Sequence, residues 1–405
     1  MFELGPIQDA LHESGLDGWL LYDFHGSNPL ARRVLGLDGR KPGTRRFFYF
    51  VPAEGAPSKL VHRIESGALD HLPGGKSIYL RWQELEAGVA ALVAGRSRVA
   101  MEYSPRNANP YISRVDAGTV ELVRAFGSEV VPSGDLVSRF ESTWDDRQWA
   151  LHQEAARACR SAYDAAFGLI ARRARVGGTV LETEVQKAIL DHFASHGLTT
   201  DGPPIVGVGP HSGDPHHETT PENDAPIGLG DFVLIDLWAK VDEGKPPRDA
   251  SGERQAVYAD YTRVGYVGDS VPDHYEDRFR IVVEARDAAL AMVKDAFASG
   301  RPIRGGELDD AARRVIEAAG FGEYFTHRTG HNIGRDDHGN GAHLDHLETR
   351  DDRLILRRTC FSIEPGIYVP EEFGVRTEID VFIDAGGRVH VTGGEPQDRV
   401  LPILA

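Results

Sequence analysis

Phe232-Val233-Leu234-Ile235-Asp236-Leu237-Trp238 and, beyond a polar stretch, Val257-Tyr258-Ala259-Asp260-Tyr261-Thr262-Arg263 are strand-length runs rich in β-branched and aromatic residues, each with one aspartate among apolar neighbours. A carboxylate inside an apolar strand is costly to bury alone, so it needs a cation, a hydrogen-bond network or a solvated face. The runs predict strands over Phe232 to Ala239 and Ala256 to Val264.

Upstream, Trp149, Ala156, Tyr163 and Ile170 recur every seven residues, with Cys159 and Phe167 on the same face. This predicts a long amphipathic helix beginning near Ser142 with Thr143 as its N-cap. A shorter helix carries Leu181, Val185, Ile189 and Phe193 along one side and stops at Gly197. Downstream the order repeats. One long helix carries Tyr275, Phe279, Val282, Leu290, Val293 and Phe297 to Gly300, and a shorter one carries Leu308, Ala312, Val315 and Ala319 to Gly320. Strands are then predicted over Phe361 to Val369 and Gly374 to Ile383. Helix, helix, strand, strand occurs twice without a matching sequence repeat, which points to two similar halves packing into one sheet with helices outside.

The N-terminal part has a different texture. Trp19 to Tyr22, Phe47 to Val51 and Ser77 to Leu80 read as strands, and Ile7 to Ser14 and Trp82 to Leu92 as helices. The expected fold class is therefore α+β, with a smaller α/β domain over residues 1–142 and the two-half domain over residues 143–405.

A chain of 405 residues with 41% hydrophobic and 26% charged residues has room for a sizeable core and one to three domains. Its formal net charge of -17 repels phosphate backbones and anionic lipid, which argues against nucleic-acid and membrane partners. The first residues carry acids and no signal-peptide-like apolar run, so a cytoplasmic protein is expected. Cys159 and Cys360 are too few for a disulfide scaffold and are not spaced as a zinc pair; they read as small buried hydrophobes.

The second predicted strand pair also carries acids: Glu364 in Phe361-Ser362-Ile363-Glu364-Pro365-Gly366, and Glu378 in Gly374-Val375-Arg376-Thr377-Glu378-Ile379-Asp380. Side-chain alternation puts Arg376, Glu378 and Asp380 on one face, with Val375, Thr377, Ile379 and Val381 on the other. Between the pairs lie His327-Arg328-Thr329-Gly330-His331-Asn332-Ile333-Gly334 and His338. Four carboxylates and one imidazole form an oxygen-dominated donor set suited to hard or borderline divalent ions, Mn first, with Co, Fe or Zn as alternatives. Four carboxylates on one ion would be too much negative charge. Shared between two ions they are reasonable, and paired ions can activate water for hydrolysis.

Taken in order, Asp236, Asp260 with Thr262 and Arg263, Thr329-Gly330-His331 with Ile333-Gly334, Glu364-Pro365-Gly366, and Arg376 with Glu378 resemble the pita-bread metallopeptidases, which include Xaa-Pro dipeptidase (prolidase), aminopeptidase P and methionine aminopeptidase. The resemblance runs from about Thr143 to the C-terminus, and the first domain resembles the creatinase/prolidase N-terminal domain. It implies Asp236, Asp260, His331, Glu364 and Glu378 as ligands of two metal ions, with Glu364 also moving a proton. It further implies His216 and His338 as catalytic oxyanion stabilisers, and His327 and Arg376 as substrate-side residues. The implied activity is hydrolysis of Xaa-Pro bonds in proline-containing dipeptides or short peptides, by a homodimer. Dipeptidase is the first reading and aminopeptidase P the second; a metal-free creatinase-like enzyme and a non-catalytic peptide-binding module rank lower because all five ligands are present. Three features depart from the pattern. The two aspartates are 260 − 236 = 24 positions apart, with Lys240 to Gln255 as a polar insertion, while His217 follows His216 and Ile379 follows Glu378 where many relatives carry Tyr and an acid.

Overall fold

Along β1 (Gly18–Asp23), Trp19 and Leu21 enter one apolar core while Leu20 and Tyr22 enter another, as period-two alternation requires. The computed structural model, which describes residues 2–37, 39–244 and 255–405, divides the chain into two units, Met1–Glu141 and Ser142–Ala405. In the first unit, β1, β2 (Phe47–Pro52), β3 (Ser58–His62), β4 (Gly75–Tyr79), β5 (Arg98–Met101) and β6 (Glu129–Pro132) form a mixed sheet in the order β4-β3-β2-β1-β5-β6. Helices α1 (Leu4–Glu13), α2 (Pro29–Val34), α3 (Trp82–Val93), α4 (Ala117–Ala125) and α5 (Gly134–Glu141) cover it on both sides. The Trp19 core takes residues of α1, α2 and α5, and the Leu20 core takes residues of α3 and α4. Burial on both faces explains why β1 and β2 read as continuous apolar runs.

The second unit runs α6 (Asp146–Ala174), β7 (Val180–Leu181), α7 (Glu182–Ser195), β8 (Leu198–Thr199), β9 (Ile205–Val208), β10 (Pro226–Ile227), β11 (Phe232–Val241) and β12 (Ala259–Tyr266). It continues with α8 (Asp273–Ser299), α9 (Gly305–Ala318), β13 (Asn332–Ile333), β14 (Cys360–Ile363), β15 (Gly366–Tyr368), β16 (Gly374–Arg376), β17 (Ile379–Ile383), β18 (Val389–Val391) and β19 (Leu401–Pro402). Asp145, not Thr143, caps α6: its side chain accepts from Gln148 N at 2.8 Å and the Gln148 side chain accepts from Asp145 N at 3.0 Å, a capping box that fixes the start two residues later than expected. Leu181 precedes α7 and is exposed, and α9 buries Ile316 in place of Ala319, following the i, i+4 row from Leu308 and Ala312.

β11 and β12 pair antiparallel from Phe232↔Tyr266 to Ala239↔Ala259, which sets Asp236 opposite Thr262 and Trp238 opposite Asp260. Val233, Ile235, Leu237 and Ala239 enter the core lined by α6 and α7, whereas Phe232 and Leu234 enter the core lined by α8 and α9. Asp236 and Trp238 are in step with Phe232 and Leu234, so alternation turns them toward the second half. On β12, Ala259 and Tyr261 join the first core and Val264 the second, which leaves Asp260 and Thr262 beside Asp236. β11 continues to Val241, beyond the predicted Ala239, and residues 245–254 of the polar insertion lie outside the described residues.

The second half departs from its predicted continuous strands. β14 pairs with β17, but β15 and β16 form a separate hairpin, so the chain leaves the ladder at Glu364-Pro365 and again at Thr377-Glu378. Pro365 has no N–H to continue a ladder. Alternation survives the breaks: Val375, Ile379 and Val381 lie in the core, with Arg376, Glu378 and Asp380 directed away from it. Among the described residues the ladder is not continuous between the halves. β19-β12-β11-β8, with β9 on β11, is one sheet and β13-β14-β17-β18 another. Asp260 N donates to the Asp380 carboxylate at 2.9 Å across that gap. Among the described residues, no helix is long and apolar enough to cross a membrane.

Close packing of the two strands around His331 depends on Gly330, where an added Cβ would lie 2.0 Å from the Ser362 carbonyl oxygen. Gly330→Ala is expected to destabilise by about 1 to 3 kcal/mol through overpacking, measured by urea unfolding. Stability equal to the wild type would contradict this packing.

Candidate metal centre

Asp236, Asp260, His331, Glu364, Arg376, His216 and His338 line one cavity of about 410 Å³, together with Asp201, Trp238, Asp336 and Asp337. Glu378 is not among the lining residues but lies beside Asp260 and His331. One ligand atom each from Asp260, His331 and Glu378 lie within 4.8 Å of one another, and all three residues are buried.

Each side chain is placed by its own element. Asp236 meets the Arg376 guanidinium with Oδ2, while its buried Oδ1 has no hydrogen-bond partner. Arg376 Nε donates to Thr262 Oγ1 at 2.7 Å, and Thr262 Oγ1 donates to Glu378 Oε2 at 2.7 Å, so one cation steadies Asp236 on β11 directly and Glu378, in the break after β16, through Thr262 of β12. His331 is anchored by its backbone N–H, which donates to Ser362 Oγ at 3.0 Å, and Ser362 Oγ donates to Glu364 Oε1 at 3.1 Å. His331 Nδ1 lies 3.3 Å from the Asn332 carbonyl, an oxygen that can only accept; this assigns the ring proton to Nδ1. The bare Nε2 then faces Asp260 Oδ2 at 3.5 Å and Glu364 Oε1 at 3.4 Å.

A lone pair aimed at two carboxylates is repulsive unless a cation lies between them. Asp236 Oδ1, Asp260 Oδ1 and Glu378 Oε1 are likewise buried without hydrogen-bond partners. Burial and neighbouring carboxylates push Asp260 and Glu378 well above the usual carboxylate range, and burial pushes Glu364 up to about 7. Burial also holds His331 well below its usual value. The three carboxylate shifts disfavour the ionised, ligand-like form in the absence of a counter-charge, while the His331 shift keeps its imidazole neutral, so the residues present fit divalent metal ions held mainly by oxygen.

The other expected residues fall differently. His338 Nδ1 accepts from Arg328 Nη2 at 3.1 Å; since a guanidinium only donates, a neutral His338 carries its proton on Nε2. His216 is exposed on the cavity wall. His327 does not line the cavity: its Nδ1 lies 2.7 Å from the Arg328 carbonyl and its Nε2 lies 2.8 Å from Tyr368 OH, so both ring nitrogens are engaged.

Sequence reasoning passed over Asp337, Arg328, Tyr368 and the role of Asp380. Asp337 is the most consequential. Its Oδ1 is buried without a hydrogen-bond partner, its Oδ2 lies 3.8 Å from His338 Nε2, and it heads the like charges that raise Asp260. The signal was Asp336-Asp337-His338, a pair of acids beside a singled-out histidine.

Two similar helix-helix-strand-strand halves that hold an oxygen-rich cluster of ligands between them define a pita-bread metal-dependent hydrolase. The chain matches metallopeptidase family M24 over residues 150–385, and it belongs to that family. It is 29% identical to the putative dipeptidase YkvY of Bacillus subtilis over 304 residues, 73% of this chain and 74% of that protein. Its fold resembles dipeptidase PepE from Mycobacterium ulcerans with a TM-score of 0.68 and 22% identity, covering 99% of this chain and 96% of the other. It also resembles an Xaa-Pro dipeptidase from Bacillus anthracis, with a TM-score of 0.60 and 22% identity over 98% of each.

Because Asp337 adds a carboxylate whose buried Oδ1 has no hydrogen-bond partner, Asp337→Asn is expected to raise the melting temperature of chelator-treated protein at pH 8, by about 2 to 4 °C for each 1 kcal/mol of repulsion relieved. The rise in melting temperature on adding Mn should shrink. Scanning calorimetry with and without Mn measures both, and an unchanged pair of values would contradict the placement.

Proposed function

We propose that this metallopeptidase is an Xaa-Pro dipeptidase working with two divalent ions, Mn first and Co, Fe or Zn as alternatives. The observation that carries the reading is the convergence of buried Asp236, Asp260, His331 and Glu378 with the partly buried Glu364, braced by Arg376 and Thr262. Asp236, Asp260, His331, Glu364 and Glu378 would hold the ions. Two ions held there would supply an activated water and polarise the scissile carbonyl.

The protein's own groups complete the chemistry. Glu364 accepts the proton of the attacking water and delivers it to the departing proline nitrogen, which needs one to leave as an amine. His338 offers its Nε2–H to the carbonyl oxygen as negative charge develops, with Arg328 fixing that tautomer, and His216, which lines the same cavity, is the second donor. His327, held by Tyr368 and the Arg328 carbonyl, braces the wall that Arg376 also touches, since Arg376 Nη1 lies 3.5 Å from Tyr368 OH. The same reading treats the first unit as a creatinase/prolidase-type N-terminal domain and the working enzyme as a cytoplasmic homodimer.

Aminopeptidase P is the second reading, and one observation favours it. Arg376 is committed to Asp236, Thr262 and Tyr368, so it serves to orient metal carboxylates and is poorly placed to pair with a free proline carboxylate. Comparison of Ala-Pro with Ala-Pro-Ala decides between them: faster dipeptide cleavage supports the first reading, and faster tripeptide cleavage overturns it. Arg376→Ala should depress both rates together. In Glu364→Gln, which keeps an oxygen for a metal but cannot carry the proton, turnover should fall by about 10² or more with the circular dichroism unchanged. Near-normal turnover would remove Glu364 from that role.

A further inference from the structure

Glu182, the first residue of α7, is fully buried although it carries a carboxylate. Oε1 accepts from Val208 N at 2.8 Å and from His211 Nδ1 at 2.9 Å. Oε2 accepts from Ala225 N at 3.2 Å and faces His217 Nε2 at 3.4 Å. Val208 closes β9 and Ala225 immediately precedes β10, so this one carboxylate grips both ends of the segment 209–225. The next residue adds a second grip, since Thr183 N and Oγ1 donate to Asp224 at 3.0 and 2.5 Å.

The gripped segment carries His216. Its neighbour His217 is 6% exposed and stacks on His211 with ring centroids 4.3 Å apart, so it is seated inside against Glu182. His216 is exposed and lines the cavity with Asp236, Asp260 and Glu364. An inward His217 thus leaves His216 as the histidine presented to substrate.

We propose that Glu182 is a positioning residue for His216: it clamps the segment 209–225 at both ends and at His211 and His217, and thereby sets the reach of the His216 imidazole into the cavity. The inference rests on the reading of His216 given above. Glu182, His211 and His217 could also be taken for a separate metal site, since one donor atom of each lies within 4.8 Å of the others. Both carboxylate oxygens, however, already accept backbone N–H groups, which is what a loop clamp needs and a metal ligand does not.

The test is a double-mutant cycle on kcat and KM for Ala-Pro, using Glu182→Gln and His216→Ala in Mn-loaded enzyme. Glu182→Gln keeps the shape of the side chain but puts an amide N–H against one of the clamped backbone donors. It should lower kcat about tenfold with metal content unchanged, and should change kcat less than twofold when His216 is already alanine. Equal losses in both backgrounds, or a loss in KM alone, would overturn the proposal. If His216→Ala itself leaves kcat unchanged, the catalytic reading of His216 fails, and limited proteolysis decides the clamp: faster cleavage within 209–225 in Glu182→Gln supports it and unchanged cleavage overturns it. A third Mn or Zn ion per chain that disappears in Glu182→Gln would also overturn it, in favour of a metal-held loop.

Discussion

Several carboxylates crowded into one buried cavity repel each other, and the second unit is arranged around that repulsion. Asp236, Asp260, Glu364 and Glu378 come from four places in the chain, and Arg376 is the one arginine or lysine on the cavity wall among the described residues. Its guanidinium meets Asp236 and, through Thr262, steadies Glu378. One positive charge is too little for four carboxylates, and the orphaned oxygens of Asp236, Asp260 and Glu378 record the deficit. Two divalent ions would make it up, which is why the fold and the chemistry cannot be separated here.

The strands deliver those groups by two different devices. In the first half, strict alternation on an uninterrupted ladder is enough: odd-numbered residues of β11 feed the core under α6 and α7, and Asp236 falls on the other face. In the second half, the chain breaks its ladder at Glu364-Pro365 and Thr377-Glu378, and the acids sit at the breaks. A break frees a side chain from the perpendicular stance of a strand residue, so Glu364 and Glu378 can turn toward His331. Behind them, Asp380 holds the Asp260 backbone and Ser362 ties His331 to Glu364, so small shifts in β14 or β17 would reach the ligands directly.

Much of this was legible in the sequence, and the misses have physical causes. The repeated helix-helix-strand-strand order followed from heptad-like and period-two spacing, the four candidate carboxylates stood out as acids inside apolar runs, and the family resemblance added His331 to them. Thr143 was read as the cap of α6 because spacing alone cannot rank it against Asp145, which wins through a reciprocal bond with Gln148. The strand breaks were missed because Glu364-Pro365 and Thr377-Glu378 sit within apolar runs long enough for one strand. The ring partners of His327, Tyr368 and the Arg328 carbonyl, are set by tertiary contacts that sequence spacing does not show. Asp337 had a sequence signal in its place beside Asp336 and His338, whereas nothing in the neighbours of Glu182 announces which buried groups it meets.

The central claim is that the buried carboxylate cluster exists to hold two divalent ions. Metal analysis of the protein after exhaustive chelation and Mn reconstitution, run beside peptide hydrolysis, tests it most directly. The account predicts two ions per chain and activity that returns as they are taken up. Full activity in protein shown to contain no metal, or saturation at a single ion, would contradict it.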